Sequence, residues 1–266
     1  MPASLKLAIG LTRLTLNVLV GLLIAALYFP FAGQARRERL ICWWARGVLR
    51  ICGIDLRLEG PVPDPSEQAG LMLLANHVSW LDIYVLNAVV ATRFVAKSEI
   101  RGWPVFGYLA RRTGTLFIER GRRHAVHRAN ADIAAALRQG ARVGVFPEGT
   151  TGDGRVLLPF HANLIQAAVD APAVLQPVAL RYETLTGQPC TAVAFVGDMT
   201  LLASICSTLR AAPLCVLVRY LARIDAAGVS RHALARQAGV EIALSLGVDA
   251  PGSRPETAPG LPVARH

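Results

Sequence analysis

The chain has 266 residues, enough for one well-filled core with a small appendage and too few for several large domains. Hydrophobic residues make up 53% and charged residues 17%, below the roughly 25% charged of ordinary soluble domains, which points to a protein in or on a membrane. A formal net charge of +10 asks for an acidic partner, such as anionic lipid headgroups or an acidic carrier protein; zinc-finger spacing, an RNA-binding signature and aromatics interleaved with basic clusters are all missing, which argues against nucleic acid.

Leu14 to Gly33 (LTLNVLVGLLIAALYFPFAG) is 20 residues without a charge, long enough to cross a hydrocarbon layer of ~30 Å. A signal peptide would have a shorter apolar core and a small-residue cleavage site, so the run reads as a retained anchor. Arg36, Arg37, Arg39, Arg46 and Arg50 follow it, against Lys6 and Arg13 before it. That bias places the bulk of the chain on the cytoplasmic side. Residues 36–52 mix arginines with Trp43, Trp44 and aliphatics, the makeup of a helix lying in the interface. Pro30 and this second helix also suit a re-entrant pair, so spanning and dipping both remain open. Residues 1–52 are thus expected to form a membrane-anchoring helical segment.

From Gly53 the pattern becomes that of an α/β domain. Strands are predicted at 54–60, 71–75, 92–96, 114–119, 142–146, 174–182, 191–197 and 215–222. Helices are predicted from Ser79 to about Val90, in the Gly- and Pro-punctuated stretch 98–112, over 122–139 and 160–170, near 200–210 and over 230–246. Short apolar strands alternating with helices give an α/β fold with a mostly buried mixed sheet flanked by helices, one domain over 53–247. Residues 248–266, rich in Pro, Gly and Ala, read as a disordered tail. The five cysteines lack CxxC spacing and sit in apolar runs, as small buried hydrophobes in a reducing setting do.

Three stretches carry candidate chemistry, each at a predicted strand end. The first is LMLLANHVSWLD, residues 71–82. In one continuous helix His77 and Asp82 would lie roughly 140° apart and could not cooperate. With His77 at the strand end and Ser79 opening a helix, Asp82 falls in the first turn, where its carboxylate can reach back to the imidazole. That arrangement suits a base held in one tautomer. The same residues also read as a Ser79-x-x-Asp82 capping box beside a structural histidine. The second stretch, GTLFIERGRR (114–123), ends a strand in arginines that can offer a forked donor to phosphate or carboxylate, or can simply form a solvated face. The third, VGVFPEGTTGDG (143–154), breaks a strand into a glycine- and hydroxyl-rich loop with the makeup of an anion-binding nest. It lacks the Gly-Lys-Ser/Thr of a Walker loop.

Asn76-His77-x4-Asp82, GTLFIER, VFPEGT and LQPVAL (175–180), in that order, resemble the four blocks of the glycerolipid acyltransferase family, whose best-known members are 1-acylglycerol-3-phosphate acyltransferases. The resemblance spans about residues 70–182. It implies that His77 is a general base for a glycerol hydroxyl attacking an acyl thioester, and that Asp82 orients it. Arg120 would bind the acceptor's anionic headgroup, Glu148, Gly149 and Thr150 would shape the acceptor or thioester site, and Lys97 would add positive charge. Acyl carrier protein or coenzyme A would bring the acyl group, no metal or cofactor would be needed, and the enzyme would sit on the cytoplasmic face of the inner membrane. The first expectation is therefore acylation of 1-acylglycerol-3-phosphate to phosphatidate. One departure matters: members using lysophosphatidate continue the third block as Glu-Gly-Thr-Arg, whereas position 151 here is threonine. Members with EGTT include enzymes acting on lyso-ornithine lipid, which makes that lipid the alternative acceptor; Arg155 could replace the missing guanidinium. A non-catalytic lipid-binding membrane protein is the alternative of another class, and the intact His77/Asp82 pair speaks against it. His124 and His127 fall on the exposed face of a helix, His161 reads as structural, and Trp103-Pro104 reads as resting on membrane or core.

Overall fold

The structure is a computed structural model that describes residues 2–67, 70–119 and 123–250. The chain opens with helix α1 (Ala3–Leu23), which runs through a wide turn at Ile24–Tyr28 and a 3-10 turn at Phe29–Phe31. Helix α2 (Gln34–Ile51) returns alongside it. There follow β1 (Ile54–Glu59), β2 (Leu71–Ala75), α3 (Asp82–Val89), β3 (Arg93–Lys97), α4 (Phe106–Arg112), β4 (Leu116–Ile118), α5 (Arg123–Arg138) and β5 (Arg142–Val145). The remainder is α6 (Gln166–Asp170), β6 (Val174–Thr184), α7 (Leu201–Ala211), β7 (Leu214–Tyr220), β8 (Ile224–Asp225) and α8 (Arg231–Leu246).

The strands form one mixed sheet in the order β1-β7-β6-β2-β5-β3-β4, with β8 on β6. Every pair is parallel except β6 with β7 and with β8. Both faces are covered, which is why the central strands read as unbroken apolar runs. In β2 the two-residue alternation sorts the side chains cleanly. Leu71, Leu73 and Ala75 pack with α2, α3 and the face of β7, while Met72 and Leu74 pack with α5, α6 and α8. The expected α/β architecture with a mostly buried mixed sheet is the observed one.

The N-terminal helices are not an appendage. Ala45, Val48, Leu49 and Cys52 of α2 belong to the main core, and α1 lies against both α2 and α7. Gly21 lets α1 approach closely: a Cβ there would meet the Trp44 ring at 2.7 Å, and Trp44 Nε1 donates to the Asn17 carbonyl at 2.8 Å. The helical rod Ala3–Phe31 is the one element long and apolar enough, among the described residues, to cross a membrane. It starts earlier than the uncharged run, taking in Lys6 and Arg13, because the i to i−4 ladder tolerates charges that face outward.

Several predicted elements differ. Residues 191–197 form no strand; their backbone goes into a turn at Thr191–Ala194 and onto the loop after β2, where Phe195 N donates to Val78 O, while the stretch of β6 past β2 is met by the Asn76 amide and by residues 188–190. Within 160–170 a 3-10 turn at Ala162–Leu164 interrupts the predicted helix, and 98–112 splits at Trp103-Pro104 into a 3-10 turn and α4. The strand at 114–119 shortens to β4, and β8 was not anticipated. Of the predicted tail, 251–266 lies outside the described residues.

Gly144 in β5 makes room for the Phe94 ring of β3, which a Cβ would meet at 2.5 Å. Phe94 in turn stacks on Phe146, with ring centroids 5.7 Å apart. Gly144→Ala is therefore expected to cost about 1–3 kcal/mol by overpacking, seen as a lower thermal midpoint, and to cut activity as well, because Phe146 backs His77, the candidate base.

Candidate active site

Because β2, β3, β4 and β5 are mutually parallel, their carboxyl ends share one edge, where ligands bind in open sheets of this kind. β6 runs on past the end of β2, from Val178 opposite Ala75 to Thr184. Asn76 closes the gap with its side chain. Its Oδ1 accepts from the Leu180 N–H at 2.7 Å and its Nδ2 donates to the Leu180 carbonyl at 3.0 Å, so the amide substitutes for one more residue of strand pairing and frees the chain to turn.

On that turn His77 Nδ1 meets Asp82 Oδ2 at 2.8 Å. The same oxygen accepts the backbone N–H groups of Val78 at 2.7 Å and Ser79 at 2.9 Å. Asp82 Oδ1 accepts the Tyr182 hydroxyl at 2.7 Å. Asp82 is wholly buried, and 19% of the His77 side chain remains exposed. The carboxylate contact fixes Nδ1 as the protonated nitrogen, and Nε2 has no hydrogen-bond partner among the described residues. Both sequence readings of this stretch hold part of the truth. Asp82 does reach back to the Ser79 N–H as a capping box would, yet α3 starts only at Asp82, and Ser79 Oγ accepts from Leu81 N rather than capping the helix.

The imidazole is held from behind by the Phe146 ring, stacked at 4.0 Å and 11°. Its backbone is held by the third block. Glu148 Oε1 accepts the His77 N–H at 2.7 Å, Oε2 accepts the Leu158 N–H at 2.9 Å, and Gly152 N donates to the His77 carbonyl at 2.7 Å. Glu148 is thus a buried brace between two loops. Burial pushes its carboxyl up to about 7, against the pull of the two backbone N–H groups and His77, with Asp82 adding to the rise. Gly149 sits in the turn at φ 71°, and Thr150 beside it is exposed. Thr151 donates its hydroxyl to the Phe195 carbonyl, while Phe195 N donates to Val78 O at 2.9 Å. The segment that forms no strand is thereby fastened over the His77 turn.

Lys97 is exposed at the carboxyl end of β3, on the same edge as His77. Arg120 lies outside the described residues, two positions past the end of β4. Arg155 is exposed, its backbone held by Asp153. Among the described residues no group of His, Cys, Asp or Glu is arranged to hold a metal. All five cysteines are free. Reading the sequence missed Tyr182, Phe146 and the bracing role of Asn76; Tyr182 lies near the end of β6, 100 residues from Asp82, and only its hydroxyl at the end of LQPVALRY marked it.

A family model described as Acyltransferase matches residues 57–181. A lyso-ornithine lipid O-acyltransferase of Pseudomonas aeruginosa is 37% identical over 210 residues, 79% of each chain. The chain belongs to the acyltransferase family. A 1-acyl-sn-glycerol-3-phosphate acyltransferase of Neisseria meningitidis is 43% identical to this acyltransferase over 152 residues, 57% of this chain and 59% of that one. In fold, the acyltransferase is similar to the 1-acyl-sn-glycerophosphate acyltransferase of Thermotoga maritima, with TM-score 0.61 at 20% identity, covering 89% of this chain and 95% of that one.

Two predictions follow from the carboxylates. Tyr182→Phe strips one donor from a buried charge, so stability is expected to fall by about 1–3 kcal/mol and kcat to fall with KM little changed, as thermal melts and steady-state kinetics would record. For Glu148 the sign follows from linkage. The folded chain keeps its proton up to about 7 while the unfolded chain loses it near the ordinary glutamate value of 4.5, so the stability it lends is complete below that lower value and fades as pH rises through 7. The unfolding free energy of wild type minus that of Glu148→Gln should therefore decline over that window by at most about 3 kcal/mol, measured by denaturant titration at each pH.

Proposed function

We propose that this acyltransferase moves a fatty acyl group from a thioester to the free hydroxyl of a lysolipid at the membrane surface, with His77 as general base and Asp82 as its positioning and electrostatic partner. The observation that carries this reading is the His77 imidazole bound through Nδ1 to a buried carboxylate with Nε2 unengaged among the described residues. Nε2 takes the hydroxyl proton as the lipid oxygen attacks the thioester carbonyl carbon. The carbon–sulfur bond then breaks, and the proton passes from the imidazolium to the leaving thiolate. Asp82 stabilises the imidazolium in between. A thioester is already activated, so acceptor and donor need only meet in the right orientation, and neither an acyl-enzyme nor a cofactor is required.

The donor is acyl carrier protein or coenzyme A, both anionic and suited to a chain of net charge +10. Lys97 and Arg120 attract the acceptor headgroup, and Gly149 and Thr150 form the loop wall beside it. The N-terminal helices hold the domain at the cytoplasmic face of the inner membrane.

For the acceptor we favour lyso-ornithine lipid. The Thr151 hydroxyl stands where lysophosphatidate-using members carry an arginine, and here it is spent on the Phe195 carbonyl. The lyso-ornithine lipid relative also matches over more of both chains than the Neisseria protein does. Lysophosphatidate is the second reading, favoured by the 43% identity with the Neisseria protein over 152 residues.

His77→Ala should lower turnover by roughly 10²–10⁴-fold while leaving the melt and membrane association near wild type; equal activity would remove the base assignment. Purified enzyme given labelled acyl donor and each lysolipid in parallel should acylate the ornithine lipid faster. Product from lysophosphatidate alone would reverse the choice of acceptor without touching the mechanism.

A further inference from the structure

Between β3 and α4 the chain leaves the body of the domain. Ser98–Gly102 makes a 3-10 turn, Trp103 follows in extended backbone, and Phe106 opens α4. Trp103 is 48% exposed and Phe106 38%, and their rings meet edge to face at 6.4 Å. Single exposed apolar residues need no explanation, but two adjoining large rings form a patch.

The inner side of this turn is packed. Val105, Tyr108 and Leu109 cluster with Ala25 and Phe29 from the end of the α1 rod. The protruding rings therefore adjoin the far end of α1, where Leu27 and Phe31 are exposed, the latter at 87%. Around them Arg101, Arg111 and Arg112 are exposed, and among the described residues none is paired with a carboxylate. Their guanidinium groups are instead ordered on neighbours: Arg101 lies over the Phe117 ring at 5.8 Å, Arg112 over Tyr108 at 5.5 Å, and Arg111 Nη1 donates to the Arg101 carbonyl at 2.6 Å. Guanidinium groups are thus held beside a tryptophan and a phenylalanine, with their charge unneutralised.

We propose that the Trp103–Phe106 turn is a second membrane contact, distinct from the N-terminal helix, that seats its two rings in the headgroup layer of an anionic leaflet while Arg101, Arg111 and Arg112 meet lipid phosphates. Tryptophan favours that layer because its body is apolar and its N–H polar. Each arginine near an anionic surface adds about fivefold in affinity. Continuity with the apolar end of α1 selects a bilayer over a protein partner, since both surfaces then share one occupant. The contact also sets the depth of the site: β3 leads directly into this turn, and its Phe94 supports the ring stack behind His77. The inference rests on membrane association, not on the identity of the acceptor or on His77 being a base.

The test reads Trp103 itself. The full chain and its W103F variant are reconstituted into vesicles of phosphatidylcholine, alone or mixed with phosphatidylglycerol, with brominated acyl chains. The difference between their emission spectra isolates Trp103. Emission is expected to be blue-shifted and quenched by bromine by about half in the anionic vesicles, and less in the neutral ones. In R101Q/R112Q the anionic preference should disappear while the melt stays unchanged. Trp103 emission open to aqueous iodide and indifferent to bromine in both vesicles would overturn the proposal and leave the patch to a protein partner. Equal bromine quenching in both would overturn the role given to the arginines. None of these readings depends on turnover, so a failed acyl-transfer assay and a failed membrane contact would be told apart.

Discussion

A carboxylate without solvent exposure is stable only if donors replace the water it has lost, and at Asp82 four do so: one imidazole, two backbone N–H groups and one phenol. This requirement ties together parts of the chain that are remote in sequence. The two N–H groups demand that residues 77–79 leave β2 as a tight turn rather than continue as strand. The phenol demands that β6 run past the end of β2 and present Tyr182 on the α3 face. The imidazole is the remaining donor, and its orientation is set as the charge is satisfied.

The same geometry explains why the third block matters although none of its side chains touches the imidazole nitrogens. Phe146 backs the ring, Glu148 and Gly152 hold the N–H and carbonyl of His77, and Thr151 fastens the 193–197 segment across Val78 through Phe195. His77 is thereby fixed in both ring plane and backbone position by residues from β5 and its loop. Precise placement of reacting groups is worth more than raw contact energy in a transfer between two bound substrates. Rigidity around one free nitrogen is what the assembly provides.

Much of this was legible in the sequence, and the boundary has a physical cause. Unbroken apolar runs such as LMLLA give strands buried on both faces, and the helices expected near 200–210 and over 230–246 are found there, capped by Thr200 and Ser230. The pairing of His77 with Asp82 was open to view because five residues separate them. The Asn76–Leu180 exchange spans 104 residues and the Glu148–His77 bond spans 71, and no local period reports such distances. TAVAFVG misled for a related reason. Its alternation is that of a strand, but a strand also needs a partner, and the stretch of β6 past β2 is already met by the Asn76 amide and by residues 188–190. The N-terminal run identified an apolar helix, while the packing of α2 into the main core depends on Gly21, Trp44 and Val48 fitting surfaces that appear only in the fold.

Asp82 and Glu148 both lie against His77 yet are solvated by the protein to different extents. Asp82 receives donors on both oxygens, including a side chain able to share its proton. Glu148 receives one backbone N–H on each oxygen and is buried, so desolvation dominates and its carboxyl is pushed up to about 7. The site thus sets beside His77 one carboxyl held by four donors and a second that burial pushes up to about 7. Imidazolium formed on His77 would draw Glu148 toward its ionised form, and the arriving negative charge would tighten the bond to the His77 N–H. The brace is then strongest when the histidine holds a proton, which couples the rigidity of the loop to the charge on His77.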